Sequence, residues 1–440
     1  VIDLPRIFSV SWEGRRIQLI HKWNVVFAGA ALLLAATPLG IAENNAYFQN
    51  TISNTAGAVN KTWVLTTNPS EIIYTLPGLR RIVDGQPDVE VSYQLNDAPP
   101  AKMQQDGEDF VAKLPKKDLS PGEYTFTGLV TVNYAQYKTR PTTFYVSAPL
   151  LVTWTIDWEG YDSPDSYLES MEALADEFKI PMTQLYNPHN FSTAYITPQR
   201  ADFLARWVKS RRDTKGDEIG LHLHMYPDFV KLTGVTPITD QVWGGGWTPG
   251  YDVLTSAYSY DDMVRILAYA KDVFREKELG QPRSYRAGAW FANLDTLQAL
   301  ADTGFLVDSS GRTPYTFGTN KIPGFWDLTA TTKPYFPSAR NQNGPNPPPR
   351  LPILEVPNNG ADDYAFSAEQ MIGRFKENYT GGVLLEPTQV TYLTHPNWFD
   401  TNRQQAIRDV FTYVDAFANR HDTGPVVYTT LQGVYQTFSQ

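Results

Sequence analysis

Six histidines and no cysteine occur in the 440 residues, so a metal ion held by this chain must be bound through imidazole and carboxylate. Two of the six, His222 and His224, stand two apart in Glu218-Ile219-Gly220-Leu221-His222-Leu223-His224. Residues i and i+2 of an extended strand point to the same side, so both imidazoles can grip one ion. Asp157 and Glu159 repeat the spacing in Thr155-Ile156-Asp157-Trp158-Glu159-Gly160, which turns two carboxylates toward one cavity. Two nitrogens and one carboxylate make a site that leaves coordination positions open for water and substrate. Arg286, in Tyr285-Arg286-Ala287-Gly288-Ala289-Trp290, and His395, in Leu393-Thr394-His395-Pro396, close two later apolar runs. Each residue also has an ordinary reading, since single histidines mostly sit in cores or on surfaces and spaced acids often cap helices. His21, His189 and His421 are left outside the set, although His189 follows a strand and can line the same mouth. What favours a site is that all six chosen residues fall at strand ends of one fold.

Those strands follow from the pattern after Pro149, where short apolar runs alternate with helical periodicity. The runs cover 151–156, 182–186, 219–223, 285–288, 305–308, 353–356, 391–394 and 426–429. Between them, Leu168, Met171, Leu174 and Phe178 mark one helix face, and Met263, Ile266, Leu267, Ala270 and Phe274 another. Thr197 before Pro198 starts a helix, and Ser367 with Gln370 forms a capping box. This alternation predicts an α/β fold, a distorted parallel (β/α) barrel over 149–440, with the Pro-rich stretch 344–349 as a loop inside it. In the loop after the histidine strand, Trp243 and Trp247 flank three glycines and either stack on sugar rings or pack the loop. Trp290 and Tyr226 join them as candidate substrate-facing aromatics.

Upstream the period is two. Val89–Leu95 alternates strictly, and runs at 124–127 and 142–146 continue the pattern. Pro121-Gly122-Glu123-Tyr124 reads as a turn into an aromatic strand, so 61–148 is expected to be an immunoglobulin-like β-sandwich. Residues 43–60 read as a linker. From Trp23 to Ala42 no residue is charged, with Arg15, Arg16 and Lys22 before and Glu43 after. That pattern predicts a transmembrane anchor at 23–42, a cytoplasmic segment at 1–22 and an extracytoplasmic remainder. A cleaved signal ending near Gly40-Ile41-Ala42 is the competing reading.

Composition narrows the function. A net charge of −10, with no basic block beyond the first 22 residues, leaves no electrostatic footprint for nucleic acid. Hydrophobic residues at 42% and charged residues at 19% describe a globular chain, and 13% aromatics suits both a core and a sugar-facing surface.

Taken in order, the segments at 155–159, 218–224, 286–290, 303–310 and 393–395 resemble the motifs of the polysaccharide deacetylases, the family that shares the NodB homology domain. The resemblance spans about 150–435. It implies removal of N-acetyl groups from a polysaccharide, with Asp157 as general base, Glu159, His222 and His224 as ligands of a divalent ion, zinc foremost, Arg286 orienting Asp157, and His395 as general acid. In the common form of the histidine motif the second ligand lies four residues after the first, where this chain has Tyr226; His224 is the expected substitute. Glu355 stands where the family's fourth motif falls and is the expected partner of His395. The alternative implied by these departures is a catalytically impaired domain serving as a structural or binding subunit of a membrane complex.

Overall fold

The computed structural model describes residues 45–67, 71–115, 119–246 and 248–440. The chain divides into two compact units, one holding the described parts of 1–60, 71–114 and 124–144, the other those of 61–70, 115–123 and 145–440.

In the first unit, strands Ala58–Val59, Ile72–Leu76, Asp109–Leu114 and Gln104–Asp106 form one antiparallel sheet in that order. Thr142–Ser147, Gly122–Val132, Val89–Leu95 and Ala101–Lys102 are neighbours in another, with Ala135–Lys138 paired to Gly122–Val132. Tyr74 of the first sheet stacks on Phe126 of the second at 4.4 Å, so apolar faces of the two sheets meet. These orders describe two packed sheets and do not establish the immunoglobulin topology. The expected linker is partly wrong: 45–54 is helical, because Phe48 and Ile52, four apart, are both buried on one helix face. The expected span at 23–42 lies outside the described residues, among which no helix is long and apolar enough to cross a membrane.

The second unit carries the site. Its strands are β1 (Leu150–Asp157), β2 (Met182–Tyr186), β3 (Glu218–Leu223), β4 (Ser284–Ala287), β5 (Val307–Asp308), β6 (Leu354–Glu355), β7 (Ala361–Asp362), β8 (Thr388–Thr394) and β9 (Val426–Tyr428). They form one parallel sheet in the order β6-β5-β4-β3-β2-β1-β8-β7, and β9 pairs with the first half of β1. Among the described residues no ladder joins β6 to β7, so the expected barrel is a curled sheet with an open seam. The seam opens where β5, β6 and β7 shrink to two residues each.

Period two decides what each strand offers. Leu150, Val152, Trp154 and Ile156 of β1 belong to the large core shared with helices α1 (Asp165–Phe178), α2 (Pro198–Lys215), α3 (Tyr260–Glu276), α4 (Leu294–Asp302) and α6 (Thr401–Asp415). Trp154 packs edge-on against Phe411 at 5.3 Å and donates its indole N–H to Thr394 Oγ1. The alternate residues face the inside of the curl, where Leu151, Leu185, Val307 and Leu354 meet Leu431 and Val434 of helix α7 (Leu431–Phe438) in a small second cluster. Helix starts follow local chemistry: Thr197 caps α2 through the Arg200 N–H, and Ser367 with Gln370 closes the capping box of α5 (Ala368–Asn378). Burying one large side chain is worth roughly 1.5–3 kcal/mol, and removing it also leaves a cavity. Trp154→Ala should therefore lower the urea-unfolding free energy by about 3–5 kcal/mol, whereas Leu385→Ala, at a side chain 77% exposed, should change it by no more than about 0.5 kcal/mol.

Candidate metal centre and active site

β1 and β3 end at the same rim of the sheet, and the face they turn inward carries Asp157, Glu159, His222 and His224, each buried. His224 Nε2 lies 2.5 Å and His222 Nε2 3.8 Å from Glu159 Oε2. Ligand atoms about 2.1 Å from a shared ion in a tetrahedral array lie roughly 3.4 Å apart, so the two separations bracket what an ion requires. The three ligand atoms fall within 4.8 Å of one another. Behind the rings, His222 Nδ1 sits 3.0 Å from the Arg286 carbonyl and His224 Nδ1 2.7 Å from the Tyr251 carbonyl. Protons on both Nδ1 atoms turn the Nε2 lone pairs toward Glu159, the tautomer a ligand needs. Glu159 Oε2 and both Nε2 atoms are buried without a hydrogen-bond partner. Orphaned acceptors of this kind are costly unless something satisfies them, and a divalent cation fits the set.

Charge is arranged around this point. Burial opposes ionisation of Glu159, but His224, His222 and His395 hold its carboxyl well below the usual range. His222 is likewise opposed by burial and raised by Asp157 and Glu159. Arg286, paired in register with His222 across β3 and β4, is fully buried. Its Nη1 donates to Asp157 Oδ1 at 2.9 Å and to Thr155 Oγ1 at 2.8 Å, while Nε and Nη2 donate to the carbonyl and hydroxyl of Ser309. A guanidinium fixed on three sides offers Asp157 a charge-assisted bond in one geometry. Across the cavity, at the end of β8, His395 Nε2 is 3.1 Å from Glu159 Oε1, and its ring lies 4.5 Å from that of Trp398. Burial acts against a charged His395, yet Glu159, Asp157 and Asp363 raise its pKa.

These groups floor a cavity of about 320 Å³ whose walls include Trp243, Tyr251, Trp290, Phe317, Tyr364 and Trp398, a size typical of small-ligand sites. Trp243 packs within an aromatic group of Phe291, Phe317 and Tyr251, so it is both wall and loop packing. Trp290 lies under the Arg312 guanidinium at 4.0 Å, with its indole nitrogen buried and unpartnered. Ala289 and Trp290 both adopt positive φ, 47° and 60°, a strained conformation for residues with side chains. Gly288 is forced by contact: a Cβ there would lie 2.7 Å from His224 Nδ1. Trp247 lies outside the described residues. Tyr226 does not line the cavity; it is buried behind Glu159 and donates its hydroxyl to that residue's carbonyl at 2.7 Å. A larger cavity of about 490 Å³ around the other end of β3 includes Glu218 and Gln432, but Glu218 is bonded to Ser284 and to the Gln432 N–H and offers no free group.

Glu355 is not the partner of His395. β5 and β6 pair Asp308 with Glu355 in register, so the two fully buried carboxyls face each other, and Glu355 Oε1 accepts the Gly311 N–H at 2.8 Å. Glu159 and Asp157 act on His395 more strongly than Asp363, which lies just after β7 and which burial pushes up to about 7 although His395 pulls it down. Tyr251, Asp363, Tyr364 and Trp398 were not singled out from the sequence. Trp398, three residues beyond His395, carried a positional hint; the others lie in loops without periodicity. Burial raises the pKa of both Asp308 and Glu355, and the neighbouring Asp308 pushes Glu355 further up. Groups raised on folding contribute stability that is complete below their unfolded pKa and lost as pH climbs through the folded one. Glu355→Gln should accordingly raise the melting temperature relative to the parent at pH 8 and give a smaller gain at pH 4.

No family model and no curated protein matches the sequence. Solved structures do resemble it. One described as a polysaccharide deacetylase from Mycobacterium smegmatis shares 16% identity over 66% of this chain and 89% of its own, with a TM-score of 0.41. A family 4 acetyl xylan esterase from Clostridium thermocellum shares 15% over 65% and 90%, with a TM-score of 0.32. A peptidoglycan deacetylase from Bacillus subtilis shares 10% over 66% and 93%, with a TM-score of 0.33. The chain is similar to solved structures described as polysaccharide deacetylases and family 4 carbohydrate esterases.

Proposed function

We propose that this chain is a metal-dependent hydrolase that removes acetyl groups from an N-acetylated polysaccharide. The observation that carries the reading is one cavity holding the Glu159, His222 and His224 triad, an Arg286-held Asp157 and His395. A divalent cation on that triad, zinc being the first candidate, supplies Lewis acidity toward an amide carbonyl and toward water. Asp157 takes the proton of the attacking water, its carboxylate kept in place by Arg286. His395, on the facing strand, gives a proton to the departing nitrogen. The acetyl C–N bond breaks as a C–O bond forms, and acetate and a free amine leave. The aromatic walls suit the apolar faces of sugar rings, which supports an acetylated sugar over a peptide. Asp157→Asn should leave folding intact and lower acetate release from N-acetylated oligosaccharides, assayed with added divalent metal, by roughly 10²–10⁴-fold. No acetate from any such substrate, with the parent protein metal-loaded, would leave a binding or structural subunit as the reading.

We further propose that 23–42 anchors the chain in a membrane with the catalytic unit outside the cytoplasm. The support is the uncharged stretch and its basic flank. Full-length protein in membranes should resist extraction by high salt and yield to detergent; release by salt alone would contradict the anchor.

A further inference from the structure

Glu159 stands beyond the last ladder residue of β1, on a turn that runs straight into Gly160 with φ +80°. Glycine is the most permissive backbone residue, so a carboxylate ligand placed next to one needs its main chain held from outside. Two side chains do this. Tyr226 donates its hydroxyl to the Glu159 carbonyl at 2.7 Å, and His189 Nδ1 faces the Gly160 carbonyl at 3.3 Å. Consecutive carbonyls are therefore held by two different residues. The holders support each other: their rings stack at 3.7 Å with 10° between planes, both are 1% exposed, and His189 Nε2 lies 3.0 and 3.1 Å from the two carboxylate oxygens of Asp228. The fit is tight, since a Cβ at Gly160 would come within 2.8 Å of His189 Nδ1. Plain aromatic packing would need neither the phenol hydroxyl nor a ring nitrogen aimed at the same turn.

We propose that Tyr226 and His189 are positioning residues that set the place of the Glu159 carboxylate in the triad with His222 and His224. The proposal rests on the metal reading of that triad. It is tested by cobalt(II) affinity, measured on the full chain by competition with a chromophoric chelator, together with the visible spectrum of the cobalt-loaded protein. Tyr226→Phe keeps the ring and its stack and deletes only the hydroxyl; His189→Ala deletes the second holder, and His189→Asn retains a donor near the Nδ1 position. Tyr226→Phe and His189→Ala should each weaken cobalt binding roughly 10–100-fold, as loss of outer-shell partners does, and shift the cobalt bands, with His189→Asn falling between His189→Ala and the parent. Parent-like affinity and spectrum in Tyr226→Phe would overturn the proposal, and this variant decides alone if His189→Ala does not fold. A parent protein that takes up no cobalt would overturn the metal reading itself, and this proposal with it.

Discussion

Two hydrogen bonds to main-chain carbonyls, from His222 to Arg286 and from His224 to Tyr251, are the constraint on which the site depends. They choose the tautomer of both imidazoles and aim both Nε2 atoms at Glu159. The first is available only because β3 and β4 are parallel neighbours in register, with His222 opposite Arg286. One ladder thus orients His222 through the backbone of Arg286 and Asp157 through its side chain. Moving the register by one residue would send every one of these groups to the helix side of the sheet.

The same arrangement concentrates polar groups where burial is expensive. Asp157, Glu159, Arg286, Asp308 and Glu355 are all buried, and an unpaired charge in such surroundings costs several kcal/mol. The structure meets that cost by pairing: Arg286 with Asp157, Ser310 with Asp308, and the Gly311 N–H with Glu355. The triad is different, because its three convergent atoms find no such partner within the chain. Those three atoms lie within 4.8 Å of one another, an arrangement that a divalent cation fits.

Much of this was legible in the sequence wherever a physical signal was strong and local. The eight apolar runs became strands, because a strand covered on both faces must be apolar along nearly its whole length. Spacing of two at Asp157/Glu159 and His222/His224 placed the four side chains on one face. Elsewhere the signal was absent or misread. Glu355 meets Asp308 because ladder pairing brings residues of separate strands together, which no single-strand pattern reports. Asp363, whose charge is felt at His395, sits beside a two-residue strand that has no periodicity to detect. The helix at 45–54 hides in a polar segment, since its buried face shows in little more than Phe48 and Ile52. Tyr226, read as a wall of the cavity, lies behind it, and nothing in its spacing distinguishes the two.

On the proposed reading, Glu159, His222 and His224 hold a single divalent ion. Anomalous diffraction at the absorption edge of zinc, from crystals grown with zinc, tests it directly. One strong peak is expected at bonding distance, about 2.0–2.2 Å, from Glu159 and from the Nε2 atoms of His222 and His224. A zinc peak elsewhere, or none while the three side chains keep their places, would contradict it.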